Sequence, residues 1–462
     1  MDDPLRLPDD LVAWIGAVAG GAVVSLDRKP GGGRKEAWFV DVEVDSTKER
    51  RELFLRYDRS DPSRTGDPWT LRREATVYLA LQGTEVRVPT VVAVHPQHQA
   101  MVTERLQGEN WFSRIADADE ELGTARDFMH RLAALHRLDA RTLELPGFPD
   151  ASTPVPDLVR HELDEWEGVL AFRGGAVDPV LRLTLDWLRA NVPAFEGPAV
   201  LVQGDTGPGN FIYAGGRVVA VVDWELAHLG DPMDDIAWLS LRATQEPFTH
   251  LPDRLREYEE LSGNRIDEER VRYYRVMAEA KLQVMTHRRA ESEAEAGLEG
   301  GDLGNRLIYG ILHRRLWFEA LGEVAGFELT PVETPPPHPP SEHDRLYASL
   351  LAQLRDVVVP RITDPLALAR TKGFARVLKY LAAVNADGPF FDACELDDLA
   401  KLLGEPVDRL EDGRGRAADA VLAGRLDPAE YLGYAWRRVA RDNELLRPAS
   451  GVLADRHWPP LS

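Results

Sequence analysis

The chain has 462 residues and one cysteine, Cys394. A lone thiol closes no internal disulfide, so packing must hold the fold, which suits a reducing compartment. No histidine lies between Phe390 and Glu395 to activate that thiol, so it reads as inert. Long hydrophobic runs are missing as well. The one apolar stretch placed like a targeting segment, Leu11 to Val24, is too short to span a bilayer and follows acidic rather than basic residues. It reads as a short amphipathic helix, N-capped by Asp9 or Asp10. Excess positive charge is the third absence: 55 Lys and Arg face 77 Asp and Glu, a formal net charge of −22. That balance argues against nucleic-acid and anionic-membrane partners. A cytoplasmic protein is expected. A nucleotide substrate stays compatible, because bound Mg²⁺ and a few local cations offset the repulsion.

With 44% apolar and 29% charged residues, the chain has the profile of a soluble globular protein, and its length points to two or three domains. Strands are expected at Ala22–Leu26, Ala37–Val42 and Glu52–Tyr57, then near Thr90–Val94 and Ala100–Glu104. A helix from Trp69 to Gln82 interrupts them, giving an α+β unit over roughly residues 20–106. Helical spacing dominates from about 107 to 330, with Ala125–Leu138 and Arg270–Thr286 as long candidates. Residues 331–341 are proline-rich and read as an extended linker. Helical spacing then returns over 342–462, in Leu346–Val358, Phe374–Ala383, Leu396–Leu403 and Ala417–Leu422.

The informative stretch is Leu201-Val202-Gln203-Gly204-Asp205-Thr206-Gly207-Pro208-Gly209-Asn210, followed by a strand, the turn Ala214-Gly215-Gly216-Arg217 and a returning strand that ends at Asp223. A hairpin brings Asn210 and Asp223 to one edge, with Asp205 on the loop beside them. Phosphoryl transfer needs a carboxylate to orient and deprotonate a hydroxyl, and oxygen ligands for Mg²⁺. Asp205, Asn210 and Asp223 are residues of those types, although Asp and Asn are also common in plain turns.

Gln203-Gly204-Asp205-x-x-x-x-Asn210, Asp223-Trp224-Glu225 and Gly230-Asp231-Pro232-x-x-Asp235-Ile236-Ala237 together resemble the aminoglycoside phosphotransferase (APH-like) family over roughly residues 15–325. The resemblance implies an α+β, bilobal, protein-kinase-like fold, with a five-stranded N-lobe over 1–106 and a mainly helical C-lobe over 107–330. The linker 331–341 and an all-α domain over 342–462 follow, the latter similar to a helical domain attached to bacterial members. It implies ATP as co-substrate, Asp205 as catalytic base, and Asn210 and Asp223 as Mg²⁺ ligands. Gly31, Gly32 and Gly33 resemble the loop that covers phosphates. Arg56 stands where the family usually has a phosphate-binding lysine, with Glu74 as its ion-pair partner and Arg59 as a fallback. Thr103 to Leu106 falls at the hinge, so Glu104 and Leu106 are expected to meet adenine. Gln203 replaces a common histidine, Asp231 and Asp235 are expected to be structural, and Glu225 faces either metal or solvent.

A small-molecule hydroxyl is the implied acceptor; hydroxy acids, hydroxyacyl thioesters, phenols and sugars all stay open. Trp111, Phe112, Trp166, Phe172 and Trp238 are candidate pocket walls, though such residues are more often core. The other reading is a pseudokinase scaffold or regulator acting through the C-terminal helical domain, which is also the expected site of any homodimer or partner-enzyme contact.

Overall fold

The computed structural model describes residues 6–29, 35–60, 68–287, 303–337, 339 and 341–462, with Pro365 and Leu366 as backbone alone. The chain divides into two compact units, one of Met1–Arg173, Val192–Tyr274 and Pro459–Ser462, the other of Gly174–Asn191 and Arg275–Trp458.

The first unit opens with α1 (Asp9–Ala19), then β1 (Gly21–Lys29), β2 (Glu36–Val44) and β3 (Arg50–Asp58). Asp9 and Asp10 are not the N-cap of α1 as expected. Pro8 holds that place, and both aspartates sit in the first turn, where a carboxylate favours the helix dipole. After α2 (Leu71–Leu81) come β4 (Val91–Val94) and β5 (Gln99–Glu104), completing an antiparallel sheet in the order β1-β2-β3-β5-β4. The two-residue period of a strand sorts its faces. Trp38 and Val40 pair across from Leu55 and Leu53, and with Val42 they bury one face against Leu11 and Ile15 of α1. The other face carries Ala37 opposite Arg56 and Phe39 opposite Phe54.

The unit continues with α3 (Ala118–Arg137), α4 (Val155–Arg173), β6 (Val200–Val202), β7 (Phe211–Ala214), β8 (Arg217–Val221), β9 (His228–Gly230), α6 (Pro232–Gln245), α7 (Leu251–Ser262) and the start of α8 (Glu268–Thr286); α5 (Pro179–Ala190) belongs to the other unit. β7 and β8 are a hairpin closed by Gly215 and Gly216, with φ of 56° and 72°. Two consecutive positive φ values define the tight turn that suits strand twist, a conformation that glycine adopts without steric cost. The Gly230-Asp231-Pro232 segment starts α6: the Asp231 side chain accepts from Met233 N, and Pro232 sits in the first turn. Arg87 joins the sheet side of the unit to the hairpin. It donates from Nη1 to Val218 O at 3.0 Å, and its own carbonyl accepts from Val221 N at 2.9 Å.

The second unit contains α5 (Pro179–Ala190), α9 (Leu303–Ala325), α10 (Glu342–Gln353), α11 (Pro365–Leu403), α12 (Leu410–Leu422) and α13 (Pro428–Ser450). The segments expected at Phe374–Ala383 and Leu396–Leu403 are one continuous helix, α11, with Pro389 inside it. The proline-rich stretch is tied down at its start: Trp436 Nε1 donates to Thr330 O at 2.8 Å, and Arg441 pairs with Glu333 at 2.9 Å. Arg441 and Arg437 also hold Asp398, and Arg414 and Tyr434 hold Glu395, so buried acids on α11 are matched by cations on α12 and α13. Among the described residues, no helix is long and apolar enough to cross a membrane.

Candidate active site

Asp205 lies on the loop between β6 and β7. Its backbone neighbours are pinned from below, where the fully buried Asp235 of α6 accepts from Gln203 N at 2.9 Å and Gly204 N at 3.0 Å. Thr206 Oγ1 donates to the same carboxylate, and so does His136 Nε2 at 3.0 Å. Tyr258 OH lies 2.7 Å from His136 Nδ1, so the ring is held between Asp235 and Tyr258. Four donors on one buried carboxylate make this a rigid floor. Asp231 likewise caps α6 and accepts from Arg270 Nη1 at 2.8 Å. Gln203 uses its amide to hold the far strand, donating to Val222 O at 3.0 Å and Asp223 O at 3.1 Å.

Above that floor, Asn210 Nδ2 donates to Asp205 O and Asp205 Oδ2, both at 2.7 Å. Val222 N donates to Asn210 O at 2.9 Å, which puts Asp223 beside them. Asp223 has φ of 64°, a left-handed conformation that Asp tolerates and that turns the chain sharply after β8. Its N–H donates to Tyr78 OH at 3.2 Å, and its Oδ1 accepts from Arg56 Nη2 at 3.3 Å. The hairpin thus brings Asp205, Asn210, Asp223 and Arg56 together. Glu74, fully buried on α2, lies 3.9 Å from Arg56. Arg59 turns elsewhere, to Glu36 at 2.5 Å and Arg6 O at 2.6 Å, and does not serve as the fallback. Glu104 ends β5 exposed and Leu106 follows half-buried, neither with a side-chain tie to this cluster among the described contacts. Gly31, Gly32 and Gly33 lie outside the described residues. Phe112, Trp166 and Trp238 are core, whereas Trp111 and Phe172 are exposed.

Three participants escaped the sequence reading. Arg242, in the last turn of α6, clamps Asp205 with its fork, Nε on Oδ1 at 2.7 Å and Nη2 on Oδ2. Gly207 makes room for it: a Cβ there would lie 2.6 Å from Arg242 Cβ. Lys35, just before β2, is buried and pairs with Glu74 at 3.5 Å and with Glu225. Glu225, left open from sequence, joins Asp223 and Glu74 in a carboxylate group whose oxygens lie within 4.8 Å of one another. No spacing signal links Arg242 to Asp205 or Lys35 to Glu74; only the glycine at 207 hints that something must pass close by.

Charge and burial set the protonation. Burial drives the Asp205 carboxyl above its ordinary range, the Arg242 guanidinium opposes that, and the Asp223 charge adds to it. Burial acts on Asp223 too, but Arg56, Lys35 and Arg242 outweigh it and hold that carboxyl below the usual range. Glu225 is raised by burial and then by Asp223. For Arg56, burial works against the charge, and Glu74 and Asp223 more than restore it. Asn and carboxylate oxygens are hard donors of the kind Mg²⁺ takes, and with Nδ2 turned to Asp205, the Asn210 carbonyl is directed away from it. The donor set fits the ion.

The family model described as the phosphotransferase enzyme family (APH) matches residues 38–278, just over half the chain, and the chain belongs to that family. Among curated proteins, acyl-CoA dehydrogenase family member 11 of Gallus gallus is 31% identical over 109 residues, 23% of this chain. The Homo sapiens protein of the same name is 29% identical over 112 residues, 24% of this chain. In both cases the match spans only 14% of the relative's own length. Among solved structures, a macrolide 2′-phosphotransferase from Brachybacterium faecium is 20% identical, covers 62% of this chain and 96% of its own, and gives a TM-score of 0.44. A ternary complex of streptomycin, ATP and APH(2″)-IIa is 16% identical, covers 61% and 91%, and gives 0.44.

Proposed function

We propose that this protein transfers the γ-phosphoryl group of ATP to a hydroxyl of a small molecule, with Asp205 as the base and Asn210 and Asp223 as the Mg²⁺ ligands. The observation that supports this best is the junction of the loop and the hairpin, where Asn210 bonds Asp205 at 2.7 Å and the chain next to Asn210's β-partner delivers Asp223. Asp205 Oδ2 accepts from both Arg242 and Asn210, while Oδ1 accepts from Arg242 Nε alone among the described contacts. Oδ1 therefore keeps a lone pair for the acceptor hydroxyl. The hydroxyl oxygen forms the new bond to phosphorus, its proton passes to Asp205 Oδ1, and the bond to the β–γ bridging oxygen breaks to release ADP. Magnesium, when bound, neutralises charge on the β- and γ-phosphates. Arg56 faces the phosphates and Asp235 keeps the loop from yielding; Glu104 and Leu106 are the expected adenine contacts and Gly31 to Gly33 the phosphate cover.

The curated relatives are named as acyl-CoA dehydrogenases, so hydroxyacyl thioesters are the acceptors to try first, before free hydroxy acids, phenols and sugars. The test compares Mg·ATP binding and acceptor-stimulated ADP release in the wild type and Asp205→Asn. Binding in both with stimulation only in the wild type supports the reading. Binding with no stimulation by any acceptor would favour the scaffold reading, and a wild type that binds no nucleotide, with or without Mg²⁺, would make the assignments of Arg56, Asn210 and Asp223 wrong together.

A further inference from the structure

The face of the sheet that carries Arg56 also carries Lys35. Ala37 is opposite Arg56 in the β2–β3 ladder, and Lys35, two residues earlier, is on the same face as its diagonal neighbour. Lys35 and Arg56 share two carboxylates, Glu74 and Glu225, and Arg56 alone also pairs with Asp223. The two cations do not share them equally. Lys35 is 5% exposed and lies 3.5 Å from Glu74, which is fully buried. Arg56 stays 3.9 Å from Glu74 and 4.0 Å from Glu225, beyond hydrogen-bond reach, and among the described residues its charged hydrogen bond goes to Asp223. Its side chain is 17% exposed, and its neighbours Asp223 and Glu225 are 31% and 34% exposed. One cation is enclosed with the buried acid; the other stands at the open end.

We infer that Lys35 is a positioning residue that takes over the ion pair with Glu74, and so leaves Arg56 to the nucleotide phosphates. The inference rests on the phosphotransferase reading above. Its physical basis is competition for one buried carboxylate. A guanidinium matches a carboxylate bidentately, so an uncompensated Glu74 would draw Arg56 down into a fork-to-fork pair and away from the phosphates. A lysine ammonium is a compact point charge that fits the enclosed space between Glu74 and Glu225, and this is one of only seven lysines in the chain. The five groups together carry one net negative charge, which a divalent ion reverses in favour of a polyphosphate.

The test is the ratio of ADP affinity to adenosine affinity, measured by calorimetry with Mg²⁺ on the full chain. The ratio isolates the phosphate contact and does not follow a general loss of folded protein. Arg56→Met should cut it roughly 10- to 150-fold, the range for a hydrogen bond to a charged group. Lys35→Met should cut it as well, because Arg56 is recaptured by Glu74. The deciding variant is Lys35→Met with Glu74→Gln: with no charge at position 74 to capture Arg56, the ratio should return towards the wild type. Because Lys35→Met strands a buried carboxylate, Lys35→Arg is measured beside it and should keep a ratio near the wild type. A double variant as poor as Lys35→Met overturns the inference and makes Lys35 itself the phosphate contact. An unchanged ratio in Lys35→Met, or a Lys35→Arg as poor as Arg56→Met, also overturns it. A wild type with no preference for ADP over adenosine would sink the phosphotransferase reading itself.

Discussion

Replacing Gly207 by alanine tests how the proposed base is held. The new Cβ would stand 2.6 Å from Arg242 Cβ and 3.1 Å from its Cγ, where ordinary contact begins at 3.4 Å. Something must move by close to an ångström. The end of α6 is the stiffer side, because Asp231 and Asp235 tie its start to Arg270, His136 and the loop backbone. The segment Asp205–Asn210 is therefore the part that shifts, and Arg242 and Asp205 lose register with it. Gly207 also has φ of +140°, which a side chain adopts only at a cost of ~1–3 kcal/mol. A misplacement of this size typically lowers a rate by ~10²-fold. Gly207→Ala should thus lose about two orders of magnitude in acceptor-stimulated ADP release and some thermal stability. Its affinity for ADP should be close to wild type, since Arg56 and Asp223 are not in that contact. Turnover within twofold of the wild type in a folded variant would refute the claim that Arg242 and the loop position Asp205.

Asp205→Asn should keep Mg·ATP binding and lose ~10²–10⁴-fold in turnover, as removal of a general base does; single-turnover ADP release measures it. Arg242→Lys keeps a charge but not the two-point contact, so turnover should fall roughly 10- to 150-fold, with nucleotide affinity unchanged. In the second unit, burial acts against ionisation of Glu395 and Asp398, but Arg414 and Tyr434 for the first, and Arg437 and Arg441 for the second, hold both below the usual carboxylate range. The unfolded chain then takes up protons first, so their contribution to stability is present above about pH 4 and is lost as pH falls through the lowered folded values. Thermal unfolding between pH 7 and pH 3 should show this, and Asp398→Asn should be less stable at neutral pH yet fall less steeply on acidification.

The sequence by itself determined the parts whose signals are local. Runs of β-branched and aromatic residues marked β2, β3 and β5, and the two glycines at 215 and 216 marked the β7–β8 turn. Asp205, Asn210 and Asp223 were legible because a hairpin of fixed register converts spacing along the chain into proximity. The N-cap of α1 was missed by one position, since Pro8 and two adjacent aspartates give competing start signals. The extent of α11 was missed because Pro389 and interrupted apolar spacing suggest a break, although packing against α13 keeps the helix whole.

Only the tertiary structure decided which distant side chains share charge. Arg242 reaches Asp205 across 37 positions, and Lys35 reaches Glu74 across 39. Neither pair has a period or motif, because each forms where two separately folded elements meet, and the energy that selects it is the cost of leaving a buried carboxylate without a cation. The same holds for Glu225, whose neighbours on the chain do not reveal that it pairs with Lys35. Local chemistry is written along the chain; the pairing of buried charges is settled by burial itself, once packing has excluded the solvent that would otherwise serve either partner.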